Sequence, residues 1–202
     1  MFLDRNGRVK QLNLAFNGLS GTVPKEIGLA LTDLKSLYLY ANELHGQLQP
    51  SIFALKKLKY LHLQANNFEG SIPTDVSNMK ELRELYIYGN NLSGNLPTSI
   101  QNLRKLEVID VYNNNFNGKI NPSLFKNMKS LNELYLNDND FTGKIGSNSV
   151  LCQRKLIEFS SDCRGGIHAE VTCDCCTTCC HDKAEPKCIE MQKVATTKKK
   201  KR

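Results

Sequence analysis

A motif of 24 or 25 residues recurs along most of this 202-residue chain and constrains its fold more than any other feature. The motif is clearest from residue 82 to residue 105, LRELYIYGNNLSGNLPTSIQNLRK. Its fixed positions are aliphatic, asparagine, glycine or proline: Leu82, Leu85, Ile87, Asn90, Leu92, Gly94, Leu96, Pro97, Ile100 and Leu103. A period in this range predicts a solenoid, in which each unit completes its hydrophobic burial against its neighbours.

Each fixed position of the motif has a physical reason. The alternation of Leu85 and Ile87 predicts a strand with one buried face, and strands that lie one repeat apart run parallel. Asn90 follows that strand, where its amide donates to and accepts from the backbone of a buried turn. Gly94 marks a bend expected to need positive φ. Pro97 then stiffens the convex side and prevents a regular ladder there.

Composition divides the chain into three parts. Residues 1–149 are the predicted solenoid, with about six repeats. Residues 150–181 hold an incomplete seventh repeat (Ile157, Phe159 and Asp162) and a cysteine-rich cap, and residues 182–202 are predicted to be a basic disordered tail. Residues 183–202 contain eight Lys/Arg and two Glu, so they carry 8 − 2 = +6 of the net charge of +7. The rest is nearly neutral, which argues against a nucleic-acid-binding solenoid.

The pattern LxxLxLxxNxLxGxIP resembles the plant-type leucine-rich repeat family over about residues 8–146. The resemblance implies an α/β repeat solenoid, a right-handed curve with a concave parallel β-sheet and an irregular convex side with short 3₁₀ helices. It also implies binding of proteins, peptides or glycans at the cell surface, often as a receptor ectodomain. Family members usually begin with a cysteine-bearing cap and a secretory signal, and neither is visible here. We therefore expect the chain to be cut at its N-terminus.

All eight cysteines follow residue 150: Cys152, Cys163, Cys173, Cys175, Cys176, Cys179, Cys180 and Cys188. An even, dense cluster favours a disulfide-stapled cap in an oxidising compartment, with a bridge from Cys163 as one way to clamp the cap onto the last repeat. The alternatives are free thiols and a Zn²⁺ site, because residues 173–181 contain CxC and CxxC spacings and His181. Vicinal cysteines fit a zinc frame poorly. The segment is similar to the C-terminal caps of leucine-rich repeat proteins from microalgae.

Tyrosine recurs at outward positions of the predicted strands, and all seven tyrosines lie in those segments. Strands about 4.8 Å apart place the outward residues in two adjacent columns, which predict a ligand-binding concave face. Its residues are Tyr38, Tyr40, His62, Gln64, Tyr86, Tyr88, Asp110, Tyr112, Tyr135 and Asn137. Aromatic residues with polar neighbours are typical of interface centres. Cross-strand packing of exposed rings, which stabilises a sheet without any ligand, is the alternative interpretation.

The function predicted from these features is a non-enzymatic module that binds a protein or peptide, as part of a receptor, signalling or adhesion protein. The four histidines are scattered without catalytic spacing, and no cofactor is required. A secreted inhibitor of a cell-wall hydrolase and a metal-binding protein are the alternatives. We expect an extracellular or cell-surface monomer, or a fragment of a larger receptor, with no nucleic-acid partner and no transmembrane segment. Asn91 begins a glycosylation sequon.

Overall fold

A computed structural model describes residues 1–154, 156–162, 171–181 and 187–190. Its strands are, in chain order, β1 (Phe2–Leu3), β2 (Val9–Asn13), β3 (Ser20–Gly21), β4 (Ser36–Tyr38), β5 (Glu43–Gln47), β6 (Tyr60–His62), β7 (Asn67–Gly70), β8 (Glu84–Tyr86), β9 (Asn91–Gly94), β10 (Val108–Asp110), β11 (Asn115–Lys119), β12 (Glu133–Tyr135), β13 (Asp140–Ile145), β14 (Glu158–Asp162), β15 (Val171–Cys173), β16 (Thr178–His181) and β17 (Lys187–Glu190). The helices are short: α1 (Lys25–Ala30), α2 (Val150–Gln153) and 3₁₀ turns at Ile52–Ala54, Thr74–Asn78, Thr98–Asn102 and Pro122–Phe125.

The concave sheet runs in the order β1-β2-β4-β6-β8-β10-β12-β14-β16-β17. From β2 to β16 its strands are parallel, and each pairs with its neighbour in the register of the repeat, as in Leu61 with Leu85 and Leu85 with Ile109. Antiparallel partners close both ends, β1 on β2 and β17 on β16. The predicted solenoid with a concave parallel sheet is therefore confirmed.

The core is a single stack of aliphatic and aromatic layers along the solenoid axis. Leu61, Leu85 and Ile109 are at most 2% exposed, and each occupies the same position in its repeat. Phe116 and Phe141 replace leucine at another position, and their rings stack with centroids 6.1 Å apart. Burial of a side chain of this size stabilises the fold by about 1.5–3 kcal/mol.

The recurring asparagines satisfy the backbone at the turn that follows each concave strand. The Asn66 amide donates to the carbonyl oxygens of Leu39 and Leu63 at 3.0 Å, and its carbonyl accepts from the Leu44 N–H at 3.0 Å. The last repeat uses Asp162, which accepts from the N–H of residue 138 at 2.8 Å. This arrangement is the one predicted from the repeat, including the aspartate of the incomplete seventh unit.

A second sheet, which the sequence did not predict, lies on the flank in the order β15-β13-β11-β9-β7-β5-β3. The repeat glycines have the expected positive φ, 81° at Gly46 and 77° at Gly70. They lie inside or at the end of a flank strand, so the bend does not stop pairing with the next repeat. The ladder ends where proline follows, and the convex side then forms the short helices that were predicted.

The C-terminal cap continues both sheets, through β15 beside β13 and β16 beside β14. Disulfides join Cys152 to Cys175 and Cys173 to Cys176, so the oxidised cap is shown for these four cysteines. The zinc alternative needed three of these sulfur atoms as thiolates. Cys163 lies outside the described residues, as do the side chains of Cys179, Cys180, His181 and Cys188. The similarity to microalgal caps stays a prediction.

Within residues 182–202, which are predicted to be a basic disordered tail, Lys187–Glu190 forms β17. The remaining tail residues, 182–186 and 191–202, lie outside the described residues. Within the described part of the chain, no helix has the length and apolar character that crossing a bilayer requires.

Candidate functional site

The outward side chains of the concave sheet lie in the columns that the repeat predicts. The strand register places Tyr38, His62, Tyr86, Asp110 and Tyr135 side by side on consecutive strands. The second column, which contains Tyr40, Tyr88 and Tyr112, lies two residues beyond the strand ends rather than within the strands. Backbone bonds continue the ladder there, as between the Ala65 N–H and the Tyr88 carbonyl at 2.9 Å.

Seven rings form a connected set across the concave sheet, which we call the aromatic ribbon. Phe16, Tyr40, His62, Tyr86, Tyr88 and Tyr112 follow one another, and Tyr38 lies beside His62. Successive ring centroids are 4.7 to 6.5 Å apart. Most of these contacts are edge-on or tilted, which is the geometry that the aromatic quadrupole favours. Because every ring is held by the rings beside it, the ribbon is a rigid, partly apolar surface.

His62 is the centre of the aromatic ribbon. Its ring lies 4.8 Å from Tyr38 and 4.7 Å from Tyr86, and its Nε2 atom is 2.9 Å from a carboxylate oxygen of Glu84. Burial lowers the pKa of His62, while the hydrogen bond and the charge of Glu84 oppose that shift. The lowered pKa favours the uncharged ring, and the tautomer with a proton on Nε2 donates to the Glu84 carboxylate.

Gln64 lies in the second column, between Tyr40 and Tyr88, and is 9% exposed. Among the described residues, its Oε1 atom has no hydrogen-bond partner. A buried acceptor without a partner costs about 1–3 kcal/mol. A ligand that donates a hydrogen bond at this point would remove that cost.

Asp110 is a buried carboxyl group at the C-terminal end of the ribbon, 8% exposed. Its Oδ1 atom accepts from the Tyr112 N–H at 3.1 Å. Burial raises the pKa of Asp110 to about 7, with a smaller contribution from the charge of Glu133. The same surroundings raise the pKa of Tyr86 to about 12, through burial and through the charges of Glu84, Glu133 and Asp110. This end of the face is acidic.

Two residues of the predicted face lie apart from the ribbon. The Tyr135 hydroxyl donates to a carboxylate oxygen of Glu133 at 3.1 Å, and the described residues provide no ring contact for Tyr135. Asn137 is 5% exposed and accepts from the Ser160 hydroxyl at 2.5 Å. The structure therefore brings eight of the ten predicted residues together and leaves these two at the margin.

Phe16 is part of the ribbon but absent from the predicted face. It has φ of 57°, it is 75% exposed, and its ring meets Tyr40 edge-on at 5.2 Å. Alanine stands at the same repeat position in Ala41 and Ala65, also with positive φ. An aromatic residue at a position that elsewhere holds a small one was the signal in the sequence, and comparing the repeats position by position reveals it.

The sequon residue Asn91 is exposed and begins β9 in the flank sheet. It therefore lies off the concave face that carries the aromatic ribbon. A glycan at Asn91 would leave the ribbon uncovered.

These features define a repeat solenoid that presents a rigid aromatic surface on its concave sheet. A sequence profile described as a leucine-rich repeat region matches residues 7–165, and the chain belongs to this family. The fold is typical of non-enzymatic binding modules. No curated protein matches the chain.

Solved structures of plant receptors share this fold. The chain is similar to the ectodomain of the receptor kinase GASSHO1/SCHENGEN3 from Arabidopsis thaliana, in complex with CASPARIAN STRIP INTEGRITY FACTOR 2, at 35% identity, TM-score 0.70, covering 81% of this chain and 18% of that chain. It is also similar to the Arabidopsis receptor kinase HAESA, in complex with the peptide hormone IDA and the co-receptor SERK1. The identity is 30% and the TM-score 0.69, and the match covers 81% of this chain and 26% of that chain. A plant ice-binding protein is similar at 25% identity and a TM-score of 0.65, and the match covers 81% of this chain and 52% of that chain. The chain thus spans about a quarter or less of either receptor ectodomain.

Proposed function

We propose that this chain is the ligand-binding part of an extracellular receptor, signalling or adhesion protein, and that it binds a peptide along the aromatic ribbon. The observation that carries the proposal is the ribbon itself, seven rings in mutual contact on one open face. Rigid aromatic side chains contribute most of the binding energy at protein interfaces, because they bury a large area at a small entropic cost.

The dimensions of the ribbon suit a short extended peptide. From Phe16 in the first repeat to Tyr112 in the fifth there are four strand spacings, roughly 19 Å at about 4.8 Å each. An extended chain that rises about 3.3 Å per residue covers this length with about six residues. The N–H groups of a peptide can donate a hydrogen bond to the Gln64 Oε1 atom, which has no partner among the described residues.

Two further observations support this assignment. Two similar receptor ectodomains, those of GASSHO1/SCHENGEN3 and HAESA, are complexed with CASPARIAN STRIP INTEGRITY FACTOR 2 and with the peptide hormone IDA respectively. The disulfides of the cap are typical of proteins outside the reducing cytosol, which fits a cell-surface location. We further propose that Asn91 carries an N-glycan on the flank sheet.

The experiment that tests the function is selection from a random peptide library displayed on phage, followed by calorimetric titration with the selected peptides. In the test variant, Tyr86, Tyr88 and Tyr112 are all replaced by alanine. We expect affinity for the selected peptides to fall at least 100-fold, because three adjacent contacts of about 1–2 kcal/mol each are lost.

The matched control is Tyr135→Ala, which removes a tyrosine from the same sheet but outside the ribbon. Its affinity should stay within about 3-fold of wild type, and the thermal unfolding of both variants shows whether the solenoid is intact. Equal losses in the triple variant and in Tyr135→Ala would contradict the proposal, as would binding that survives in a folded triple variant.

A further inference from the structure

A cleft of about 720 Å³ opens at the N-terminal flank of the concave sheet, beside the aromatic ribbon. One wall is apolar and consists of Phe2 and Leu3 on strand β1. The cationic wall contains Lys10, Lys35 and Lys59, and Arg5 and Tyr60 also line the cleft. None of these residues belongs to the ribbon, so the cleft is a separate feature of the surface.

The three lysines lie on consecutive repeats and therefore in a column. Backbone hydrogen bonds of 2.8 Å join the Lys35 N–H to the Lys10 carbonyl and the Lys59 N–H to the Lys35 carbonyl. Their Cα atoms are thus about one strand spacing apart, roughly 4.8 Å. Like charges this close raise the electrostatic potential in the cleft, and an anion that binds there relieves their repulsion.

Compensation of these charges is incomplete. Lys10 lies 3.1 Å from Asp4, which also lines the cleft, and 3.4 Å from Asp33. Lys35, Lys59 and Arg5, which also lines the cleft, form no ion pair with any residue that the structure describes. The cationic wall therefore has two ammonium groups available for an anionic ligand.

The apolar wall selects the kind of anion. Phe2 is 61% exposed and Leu3 is 44% exposed, so both present side-chain area to the cleft. A ligand whose carboxylates are attached to polar sugar rings, such as a polyuronate glycan, does not bury the exposed side chains of Phe2 and Leu3. A peptide with an acidic side chain beside an apolar one uses both walls, since burial of apolar surface adds to the charge interaction.

The cleft lies next to the ribbon. Tyr60 in the cleft and His62 in the ribbon lie two residues apart on strand β6, which is about 7 Å along an extended chain. From this geometry we infer that the cleft binds the acidic, apolar-flanked segment of a peptide ligand. The path of that ligand along the ribbon rests on the proposed function, whereas the charge and the shape of the cleft do not.

The test measures binding of a fluorescein-labelled peptide of alternating glutamate and phenylalanine by fluorescence anisotropy. The comparison peptide has glutamine in place of glutamate. The test variant, Lys35→Gln with Lys59→Gln, removes the two lysine charges of the cleft that have no ion pair and keeps Arg5. Its matched control, Lys56→Gln with Lys80→Gln, removes two exposed lysines at equivalent positions of two adjacent repeats, and neither of these lines the cleft. Both variants have the same net charge, so general electrostatic attraction falls equally.

We expect wild type to bind the acidic peptide at least 10-fold more tightly than the glutamine peptide. The Lys35/Lys59 variant should lose most of that preference, and the Lys56/Lys80 variant should keep it. Equal losses in the two variants, no preference in wild type, or tighter binding of polygalacturonate than of the acidic peptide would each overturn the assignment.

The Tyr86/Tyr88/Tyr112 variant separates this inference from the proposed function. That variant and wild type should show the same preference for glutamate over glutamine, and the Lys35/Lys59 variant should lose this preference. This result supports binding of the acidic segment in the cleft even if peptide binding along the ribbon is refuted. If the ribbon variant loses its selected peptides and the Lys35/Lys59 variant keeps the preference for the acidic peptide, the ribbon is supported and the cleft is refuted.

Discussion

Asp110 differs from an ordinary surface carboxylate, because it is buried in the concave face. Its pKa of about 7 reflects burial first, and then the nearby charge of Glu133, against one hydrogen bond from the Tyr112 N–H. Within the described residues, no lysine, arginine or histidine forms an ion pair with it. The charge of the concave face therefore changes near neutral pH, and its C-terminal end becomes more negatively charged as the pH rises.

The first prediction concerns Asp110→Asn, which keeps the acceptor for the Tyr112 N–H but never ionises. In the unfolded chain the carboxyl titrates near its ordinary value of 3.8, whereas the folded pKa is about 7. Folded wild type therefore loses stability as the pH rises from about 4 to above 7, by up to about 4 kcal/mol. We expect the free energy of unfolding of Asp110→Asn to equal that of wild type at pH 4 and to exceed it at pH 8.

Urea unfolding at the two pH values measures this difference. The control is Asp75→Asn, at an exposed aspartate, which should change stability by less than about 0.5 kcal/mol at either pH. A gap between Asp110→Asn and wild type that does not widen with pH would show that the carboxyl of Asp110 titrates normally.

The second prediction compares two adjacent asparagines. Asn66 is 7% exposed and bonds the backbone of two repeats, whereas Asn67 is exposed at the start of β7. Asn66→Ala leaves buried carbonyl and N–H groups without partners, so we expect a loss of about 2–4 kcal/mol. Asn67→Ala should cost less than about 0.5 kcal/mol. Chemical denaturation of both variants measures the difference, and equal effects would refute the role given to the asparagine ladder.

At the scale of elements, the convex helices are held by close backbone contacts rather than by helix propensity. α1 has six residues, too few for a stable isolated helix. Its buried Gly28 packs against the backbone of Ser51, so closely that an added Cβ would lie 1.8 Å from the Ser51 carbonyl oxygen. Direct contact between α1 and the next repeat therefore holds this helix in place.

The third prediction is that Gly28→Ala destabilises the protein. Helix propensity alone predicts the opposite, a gain of up to about 1 kcal/mol. In Gly28→Ala, the added Cβ would overlap the Ser51 carbonyl oxygen and force the two repeats apart, which costs about 1–3 kcal/mol of stability. Gly146→Ala is the matched control, since the nearest atom to its added Cβ is 3.8 Å away. Differential scanning calorimetry should show a lower Tm for Gly28→Ala alone, and an unchanged or raised Tm would contradict the packing argument.

At the scale of the whole molecule, the cap closes the C-terminal end of the solenoid by extending both sheets, and two disulfides cross-link it among the described residues. Cys152 on α2 is joined to Cys175 across 23 residues, whereas Cys173 and Cys176 are 3 residues apart. A cross-link restricts the unfolded chain more when it closes a longer loop. The two bridges should therefore contribute unequally.

The fourth prediction follows from the two loop lengths. Replacing both Cys152 and Cys175 by serine should lower the free energy of unfolding by about 3 kcal/mol. The matched variant with serine at Cys173 and Cys176 should lose about half as much, because its loop is far shorter. Guanidinium unfolding of the two variants, under non-reducing conditions, makes the comparison. A larger loss for the short loop would contradict the loop-length argument.

The sequence by itself determined whatever depends on the repeat period. Residues 24 or 25 apart become neighbours on adjacent strands, so Leu61 meets Leu85, Asn66 bonds the turn of the preceding repeat, and Tyr38 lies beside His62. These contacts follow from periodicity because hydrogen-bonded strands have one spacing and one register.

The tertiary structure alone decided the contacts that no period specifies. The ring of Phe16 joined the ribbon by meeting Tyr40 edge-on, and the flank sheet formed because Gly46 and its equivalents bend each strand without stopping its pairing. Pairing of β1 with β2 placed Phe2 and Leu3 beside Lys10 and Lys35, where all four residues line the cleft. The partner of Cys152 depends on the path of a non-repeating cap. Such contacts depend on side-chain rotamers and on the course of single segments, which vary independently of the repeat.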